Sequence, residues 1–306
     1  MTSMNTLRIQ LVLVKNIIFC HSSFFRTFIF LSVLQKNIIQ RSMFIIAESA
    51  FNHNGDLEYL KKLAHAAKNS GADYFTVQVF KTEDFCVKEY SKYQICKDTE
   101  LNRNQWKELF DYCREIDIPV IPCVLDESSF EFCYDYGFKF IKIHATDILN
   151  LPLLGLIAGK DCRVILETQC ATERDIKTAL DVLKEKVEVL FHGFSDYPTK
   201  YEDQNLRSLD YMREKYAQYK IGFADHTLDI KEIPLMVLAK EIAYLEKHIT
   251  LDRSNRNYDW QVSLEPNEFK QMVDVLRKYH ISLGNNWKHP CLAELKYRDI
   301  IYKRYI

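Results

Sequence analysis

The sequence has 306 residues, of which 47% are hydrophobic and 27% are charged, as in an ordinary globular protein. Its formal net charge of -1 excludes the strongly basic surface that a nucleic-acid-binding protein would need. The nine cysteines are scattered without a C-x-x-C pair, which argues against a disulfide framework or a structural zinc site. This cysteine usage is typical of a reducing compartment, and we expect a cytoplasmic protein.

Residues 1–42 differ from the rest of the chain. They are apolar, but Lys15, His21 and Arg26 interrupt them, so the longest uncharged run is shorter than the about 20 residues that span a bilayer. No convincing small-residue cleavage site for a signal peptide follows. We expect residues 1–42 to be an extension outside the fold and residues 43–306 to form one domain. A membrane anchor is the less favoured alternative.

From Phe44 onward, apolar strand-like runs alternate with segments of helical spacing. The strand-like runs are 44–49, 74–80, 119–125, 140–145, 163–168, 188–194, 220–226 and 243–251. The helical segments are 56–70, 102–116, 127–137, 151–159, 171–185, 201–216, 228–242 and 265–280. This alternation predicts parallel strands, and eight such units predict an α/β protein of the (β/α)8 TIM-barrel class. A doubly wound open sheet is less favoured, because neither G-x-G-x-x-G nor a P-loop follows any strand.

Polar side chains gather where the predicted strands end. In a TIM barrel the reactive residues lie at the C-terminal ends of the strands. A lone histidine there is more often a hydrogen-bonded core residue, but a whole set on one rim predicts an active site. The set is Glu48, Asn52, His53, Gln78, Lys81, Lys142, His144, Asp147, Glu167, Thr168, His192, Ser195, Asp196, Tyr197, Asp225, His226, Glu246, Lys247, His248 and Asp259.

The first of these strand ends reads "AESAFNHNG", residues 47–55. Asn54-Gly55 is a strong turn dipeptide, so a simple turn explains the end of the stretch. A turn does not explain Glu48, which directly follows an apolar run. We therefore expect Glu48 to have a chemical role.

Two histidines, His226 and His248, end neighbouring predicted strands, so their imidazoles could converge on one ion. Two histidines alone make a loose site, which oxygen atoms from substrate and water would complete. Such a site suits Mn²⁺ or Mg²⁺ better than a closed tetrahedral zinc. The ion would act as a Lewis acid on a carbonyl oxygen.

Several segments resemble the sialic acid synthase family, which includes the N-acetylneuraminate, legionaminate and pseudaminate synthases. They are "IIAESAFNHNGDLEYLKKLAHAAKNSGAD", "FIKIHATDILNLPLL", "VILETQCATERDIKTAL", "YPTKYEDQNLRSL", "IGFADHT" and "LEKHITLDR", followed by "YDWQVSLEPNEF". The similarity covers roughly residues 44–300. It implies a (β/α)8 barrel in which a divalent metal assists condensation of phosphoenolpyruvate with an open-chain amino-sugar aldehyde. The products would be a nonulosonic acid and phosphate. The implied partners are small molecules and a second subunit of a homodimer, without nucleic acid or membrane.

The resemblance also implies roles for individual residues. Glu48 would lie beside the reacting groups and manage proton transfers, and Lys142 would contact phosphoenolpyruvate. Asp147 stands where the family often has Glu. We expect catalytic roles for Glu48, Lys142 and Asp259, substrate contacts from Gln78, Asp147, Thr168, Ser195 and Tyr197, and metal ligation by His226 and His248.

The phosphate half of the expected site departs from the family. A phosphate is bound by cationic and hydroxyl donors. At the positions where the family has such donors, this chain has Thr76, Cys123, Ala145, Glu167 and Ala224. Glu167 would place a negative charge near the phosphate, and a repulsion at about 4 Å costs about 4 kcal/mol at intermediate dielectric. We expect Lys142, Ser195 and Thr168 to be the remaining donors.

Three functions remain open. We favour a synthase of the sialic acid type. A metal-dependent aldolase or condensing enzyme with another enolisable donor comes second, and a non-catalytic sugar-binding barrel comes third. Retention of Glu48, Lys142, His226 and His248 together favours an enzyme. The printed sequence ends where the family's antifreeze-like C-terminal domain would begin, so we expect that domain to be missing. The sugar, the donor, the metal and the oligomeric state are not specified by the sequence.

Overall fold

The predicted TIM barrel is confirmed. The computed structural model describes residues 43–284, 288 and 290–301; the expectation for residues 1–42 lies outside this part of the chain. Eight strands follow one another in chain order around a closed barrel, and β1 pairs in parallel with β8 to close it. The strands are β1 Phe44–Glu48, β2 Tyr74–Val79, β3 Val120–Val124, β4 Phe140–Ile143, β5 Arg163–Glu167, β6 Val187–Gly193, β7 Lys220–Asp225 and β8 Tyr244–His248.

Helices connect the strands around the outside. They are α1 Leu57–Asn69, α2 Thr82–Phe85, α3 Tyr93–Thr99, α4 Arg103–Glu115, α5 Glu127–Tyr136, α6 Leu151–Ala158, α7 Glu173–Leu183, α8 Arg207–Lys215, α9 Glu232–Ala239, α10 Pro266–Leu283, α11 Leu292–Leu295 and α12 Arg298–Ile301. The sequence analysis missed the short helices α2, α3, α11 and α12. Among the described residues, no helix is both long and apolar enough to cross a bilayer.

Local sequence explains why the helices begin where they do. Asp56 caps α1 by accepting hydrogen bonds from the backbone of Glu58 and Tyr59. Asn102 and Gln105 form a capping box at the start of α4. The inward face of α1 carries four buried side chains at helical spacing, Leu60, Leu63, Ala64 and Ala67. Burial of such faces against the sheet supplies most of the helical stability.

The barrel interior has an apolar lower part and a charged upper part. Side chains alternate along each strand, so every second residue points inward. The lower part is apolar and includes Phe191, whose ring packs over Gly222; a Cβ at that glycine would lie 2.3 Å from the ring. The upper part carries charged side chains at the C-terminal ends of β1, β4, β5 and β8, and these side chains form the floor of the cavity described next.

Candidate active site

A cavity of about 450 Å³ opens at the C-terminal ends of the strands. Seven of the predicted site residues line it, namely Glu48, Gln78, Ser195, Tyr197, His226, His248 and Asp259. The cavity is therefore where the sequence analysis expects the chemistry. Three other predicted residues, Lys142, Asp147 and Thr168, are not among the residues that line it.

Lys142 lies beneath the cavity floor, surrounded by three carboxylates. Its Nζ is 2.5 Å from Glu48 Oε2, 2.9 Å from Glu167 Oε1, and 2.7 and 2.8 Å from the two oxygens of Glu246. All four side chains are buried, so the charges are compensated by one another rather than by water. We call these four residues the Lys142 cluster.

The ionisable groups of the Lys142 cluster have pKa values shifted in different directions. Burial disfavours the charged ammonium, but attraction to the carboxylates raises the pKa of Lys142 well above its usual value. Burial and repulsion from Glu48 raise the pKa of Glu246 well above its usual value. Burial would also raise the pKa of Glu48, but attraction to Lys142 and hydrogen bonds with Glu246 and Lys142 outweigh it and lower the pKa. Of these two carboxyls, Glu48 therefore gives up its proton more readily than Glu246, and such an ordering suits proton transfer.

The structure changes the expectation for Glu167. The sequence analysis expected Glu167 to place a negative charge near a bound phosphate, whereas in the structure the Glu167 carboxylate pairs with Lys142 at 2.9 Å. As a consequence, Lys142, which was expected to contact a phosphate, is already paired with three carboxylates.

Thr76 lies on β2, next to Glu48 of β1. It is fully buried, and its hydroxyl has no hydrogen-bond partner among the described residues.

His226 and His248 face each other at the cavity wall, with ring centroids 5.3 Å apart. His226 Nδ1 lies 2.6 Å from the carbonyl oxygen of Phe194, so Nδ1 carries the proton and Nε2 keeps its lone pair. Burial lowers the pKa of His226, and burial lowers the pKa of His248 to about 3. Both rings are therefore neutral at physiological pH.

This pair fits a divalent metal ion. Metal-bound histidines are neutral, and a backbone carbonyl that accepts from the other ring nitrogen is a common way of orienting them. His248 Nδ1 is buried without a hydrogen-bond partner among the described residues. The carboxylates of Glu48, Glu167 and Glu246 also lie within 4.8 Å of one another, a spacing that a cation could use. Lys142 already supplies a cation to these carboxylates, which favours the histidine pair as the metal site.

Tyr197 covers the histidine pair. Its ring lies 4.5 Å from the His226 ring and 6.0 Å from the His248 ring, centroid to centroid. Burial and the nearby Asp259 raise the pKa of Tyr197, so the phenol stays protonated and can donate a hydrogen bond. Gln78 Nε2 donates to Glu48 Oε1 at 3.0 Å and so orients that carboxylate.

The loop after β1 is joined to the loop after β8. Asn52 Nδ2 donates to the Tyr258 carbonyl oxygen at 2.8 Å, and Asn257 Nδ2 donates to the Asn52 carbonyl oxygen at 2.9 Å. Asn54 Nδ2 adds a third bond, to Asn257 Oδ1, at 3.0 Å. We call these contacts the asparagine clamp.

Gly55 follows in the same loop and has a φ of +80°. It passes so close to Asp98 that a Cβ on Gly55 would lie 2.3 Å from the carbonyl oxygen of Asp98.

Asp147 and Thr168 have local structural contacts. Asp147 accepts hydrogen bonds from Asn150 Nδ2 at 2.9 Å and from Thr146 Oγ1 at 3.0 Å. The Thr168 hydroxyl donates to the Phe191 carbonyl oxygen at 2.8 Å. Both side chains thus have partners within the protein, and their expected substrate contacts remain predictions.

The structure places further residues in the cavity. The sequence analysis counted His144 and Glu246 among the polar strand-end residues without giving them individual roles, and it missed Lys92, Arg256 and Trp260. Glu246 lies two residues before His248 on one strand and so points the same way. Lys92 and Arg256 lie in loops, where no periodicity indicates a direction.

Comparisons with known proteins cover the same region. The NeuB family model matches residues 63–288. The chain is 32% identical over 279 residues to an N,N'-diacetyllegionaminic acid synthase of Legionella pneumophila, covering 84% of this chain and 78% of that protein. A synthase of the same name from Campylobacter jejuni is 31% identical over 279 residues, with coverages of 85% and 83%. The crystal structure of an N-acetylneuraminic acid synthetase from Leptospira borgpetersenii, in complex with citrate, matches with a TM-score of 0.80 and 28% identity, covering 87% of this chain and 93% of that chain.

Proposed function

The chain belongs to the NeuB family, and on that premise we propose that it joins an enol donor to an open-chain amino-sugar aldehyde, forming a nonulosonic acid. The favoured donor is phosphoenolpyruvate. One observation carries the proposal: a neutral histidine pair and an ionised glutamate line the same cavity at the strand ends. This arrangement provides a metal site and a proton acceptor for one reacting centre.

His226 and His248 would hold the ion, Mn²⁺ or Mg²⁺, which would supply Lewis-acid polarisation of the aldehyde oxygen. Tyr197, Gln78 and Asp259 line the wall and would hydrogen-bond to sugar hydroxyl or acetamido groups. Their fixed positions would hold the aldehyde carbon against the enol carbon of the donor.

Two carboxyl groups of the Lys142 cluster, those of Glu48 and Glu246, would handle the proton transfers. As the enol carbon bonds to the aldehyde carbon, the aldehyde C=O π bond breaks and its oxygen takes up a proton, while the carbon that bears the phosphate oxygen becomes electron-poor and is attacked by water. Glu48, whose pKa is lowered, would accept the proton from that water and pass it to the former aldehyde oxygen, and Glu246, whose pKa is raised, is the neighbouring carboxyl that holds a proton more readily. Collapse of the adduct then breaks the carbon–oxygen bond to phosphate and releases it.

The surroundings of Lys142 favour a second candidate donor, one without a phosphate group. Lys142 is surrounded by three carboxylates, so it has no free hydrogen-bond donor to offer to a dianionic phosphate. An uncharged or singly charged donor such as pyruvate, reacting as its enol, would meet less repulsion at this floor. The alternative function is therefore a metal-dependent aldolase on the same barrel.

One experiment tests both donors. The purified chain would be incubated with Mn²⁺, a panel of 2-acetamidohexoses, and either phosphoenolpyruvate or pyruvate. We expect a product heavier than the sugar by a three-carbon acid, with phosphate released in step when phosphoenolpyruvate is used. Product from pyruvate alone would replace the synthase by the aldolase. If the metal-loaded protein yields no product with either donor, the condensing function is wrong.

A further inference from the structure

Two charged residues of the polar strand-end set, Asp225 and Lys247, do not line the cavity. Asp225 ends β7, Lys247 is the last residue but one of β8, and both side chains are fully buried. Because side chains alternate along a strand, each of the two points away from the cavity, next to a histidine that lines it, His226 or His248. The proposed function gives neither Asp225 nor Lys247 a role.

Asp225 and Lys247 pair with each other across the two strands. They are directly opposite residues of β7 and β8, and Lys247 Nζ lies 2.8 Å from Asp225 Oδ2. A fully buried ion pair often stabilises a fold no better than apolar side chains of similar volume would. Cohesion between the two strands is therefore a poor explanation for charged side chains at these two positions.

The ion pair is connected to the backbone that carries the histidines. Asp225 Oδ1 accepts from the Thr227 backbone N–H at 2.9 Å and from the Thr227 hydroxyl at 2.8 Å, which closes a turn around His226. Lys247 Nζ donates to the Thr227 hydroxyl oxygen at 3.1 Å. Lys247 directly precedes His248 in the chain. One hydrogen-bonded network thus joins the residues on both sides of His226 to the residue beside His248.

We propose that Asp225 and Lys247 are positioning residues for the metal site, because their ion pair fixes the spacing of the two histidine rings. This inference rests on the proposed function, which assigns the ion to His226 and His248. A site with two protein ligands binds an ion well only if both rings are held in place beforehand. The Phe194 carbonyl oxygen orients the His226 ring, whereas His248 Nδ1 has no such partner within the described ranges. The position of the His248 ring therefore depends on its backbone, which Lys247 ties to β7.

The affinity for Mn²⁺, measured beside the melting temperature, tests this role. Mn²⁺ would be titrated calorimetrically into the metal-free full chain and into a double variant, Asp225→Leu with Lys247→Met, in which apolar side chains replace both charges. We expect the double variant to melt at about the temperature of the unmodified chain but to bind Mn²⁺ at least about tenfold more weakly. If the pair only stabilised the fold, the folded double variant would bind Mn²⁺ as the unmodified chain does.

Asp225→Asn is the milder variant. It keeps an Oδ1 acceptor for the turn around His226 but removes the charge that pairs with Lys247. We expect Asp225→Asn to fold and to weaken Mn²⁺ binding by a smaller factor than the double variant.

The control is a second double variant, Asp73→Leu with Arg277→Met. It removes an ion pair beside the start of β2, at the end of the barrel opposite to the cavity, and should keep the Mn²⁺ affinity of the unmodified chain. Undiminished Mn²⁺ affinity in the folded variants at position 225, an equal loss in the control, or misfolding of both variants at position 225 would overturn the positioning role. An unmodified chain that binds no Mn²⁺ would overturn it together with the metal site.

The same measurements separate this inference from the proposed function. Weaker Mn²⁺ binding in the variants at position 225, with no condensation by the metal-loaded unmodified chain, would leave the positioning role standing and reject the proposed function. Condensation by the unmodified chain, with undiminished Mn²⁺ affinity in those variants, would do the reverse.

Discussion

At the scale of single residues, we expect the side chain at position 167 to affect what the cavity floor can bind, because Glu167 pairs with Lys142. Glu167→Ser would remove one carboxylate from Lys142, and Thr76→Lys would add a cation on a neighbouring inward position. We expect the double variant to bind phosphoenolpyruvate at least about tenfold more tightly, since each charge-assisted hydrogen bond contributes about 1.5–3 kcal/mol. Calorimetric titration measures the change.

The matched control for this substitution is Glu188→Ser. Glu188 also lies on a strand, but it pairs with Lys220 and Arg163 away from the cavity. If the unmodified chain already binds phosphoenolpyruvate at micromolar concentration and the double variant adds nothing, other donors bind the phosphate. The preference for a different donor would then have no support.

The histidine pair gives a second prediction. His226→Ala or His248→Ala should each abolish stoichiometric Mn²⁺ binding, because a single imidazole holds such an ion weakly, and condensation should be lost with it. Metal content after dialysis and the circular dichroism spectrum are the measurements. His192→Ala, which changes a histidine on β6 that does not line the cavity, should keep the metal. Full metal content in both cavity variants would contradict the site.

Buried neutral histidines give a prediction for pH. Burial lowers the pKa of His53 to about 4 and that of His248 to about 3. The unfolded chain therefore takes up protons below pH about 6.5 while the folded chain does not, so stability falls as pH falls through this window. Between pH 7 and pH 5 we expect each histidine to contribute a loss of about 2 kcal/mol.

Urea denaturation at the two pH values, without added metal, measures this loss. His53→Gln should lessen the pH-dependent loss by about 2 kcal/mol, whereas His65→Gln, at an exposed position on α1, should not. An unchanged pH dependence in His53→Gln would show that His53 is not kept neutral by burial.

At the scale of elements, the asparagine clamp joins two loops that frame the mouth. Asn52→Ala would remove the bond to the Tyr258 carbonyl and leave that acceptor unsatisfied, which we expect to destabilise the fold by about 1–3 kcal/mol. The loosened loop should also raise KM for the sugar more than it lowers kcat. Asn54→Ala, whose bond is exposed to water, should cost less than about 1 kcal/mol. Equal effects of the two substitutions would argue against the clamp.

Periodicity predicted the eight strands and the helices that pack on them, but it did not predict α2 and α3. These helices have only 4 and 7 residues, and their segment is polar with no apolar stripe. Tertiary contacts hold them, for example the bond from the Thr82 backbone N–H to Glu100 Oε2 at 3.0 Å. Helices this short are not stable on their own, so the sequence carries little signal for them.

The residues of the site were largely predictable, but their partners were not. Strand ends and the family resemblance indicated Glu48, Lys142 and the two histidines. Lys142 pairs with Glu48, which is 94 residues away in the sequence, and with Glu246, which is 104 residues away. Such a pairing depends on the register around a closed barrel, which one sequence read along its length does not specify.

At the scale of the whole molecule, all eight strands of the closed barrel lie between residues 44 and 248. Its closing pair, β1 with β8, lies within Phe44–His248, and Arg277 donates to the Met43 carbonyl at 2.7 Å. We expect a chain that begins at Met43 to remain soluble and to melt at the temperature of the full chain. Calorimetry of both chains is the measurement, and aggregation or a much lower melting temperature of the shorter chain would show that the barrel needs residues 1–42.

The aromatic filling of the lower barrel has a kinetic consequence. Phe44 stacks on Tyr244 with centroids 5.1 Å apart, and Phe191 lies 6.2 Å from the same ring. The cavity is therefore a blind-ended tube, and molecules enter and leave through its mouth. A molecule bound at the floor must arrive before one bound above it, so for a donor held at the floor, as the proposed function would have it, we expect the donor to bind before the sugar. The molecule that binds second blocks the exit of the first, so saturating sugar would keep an unreacted donor bound below it.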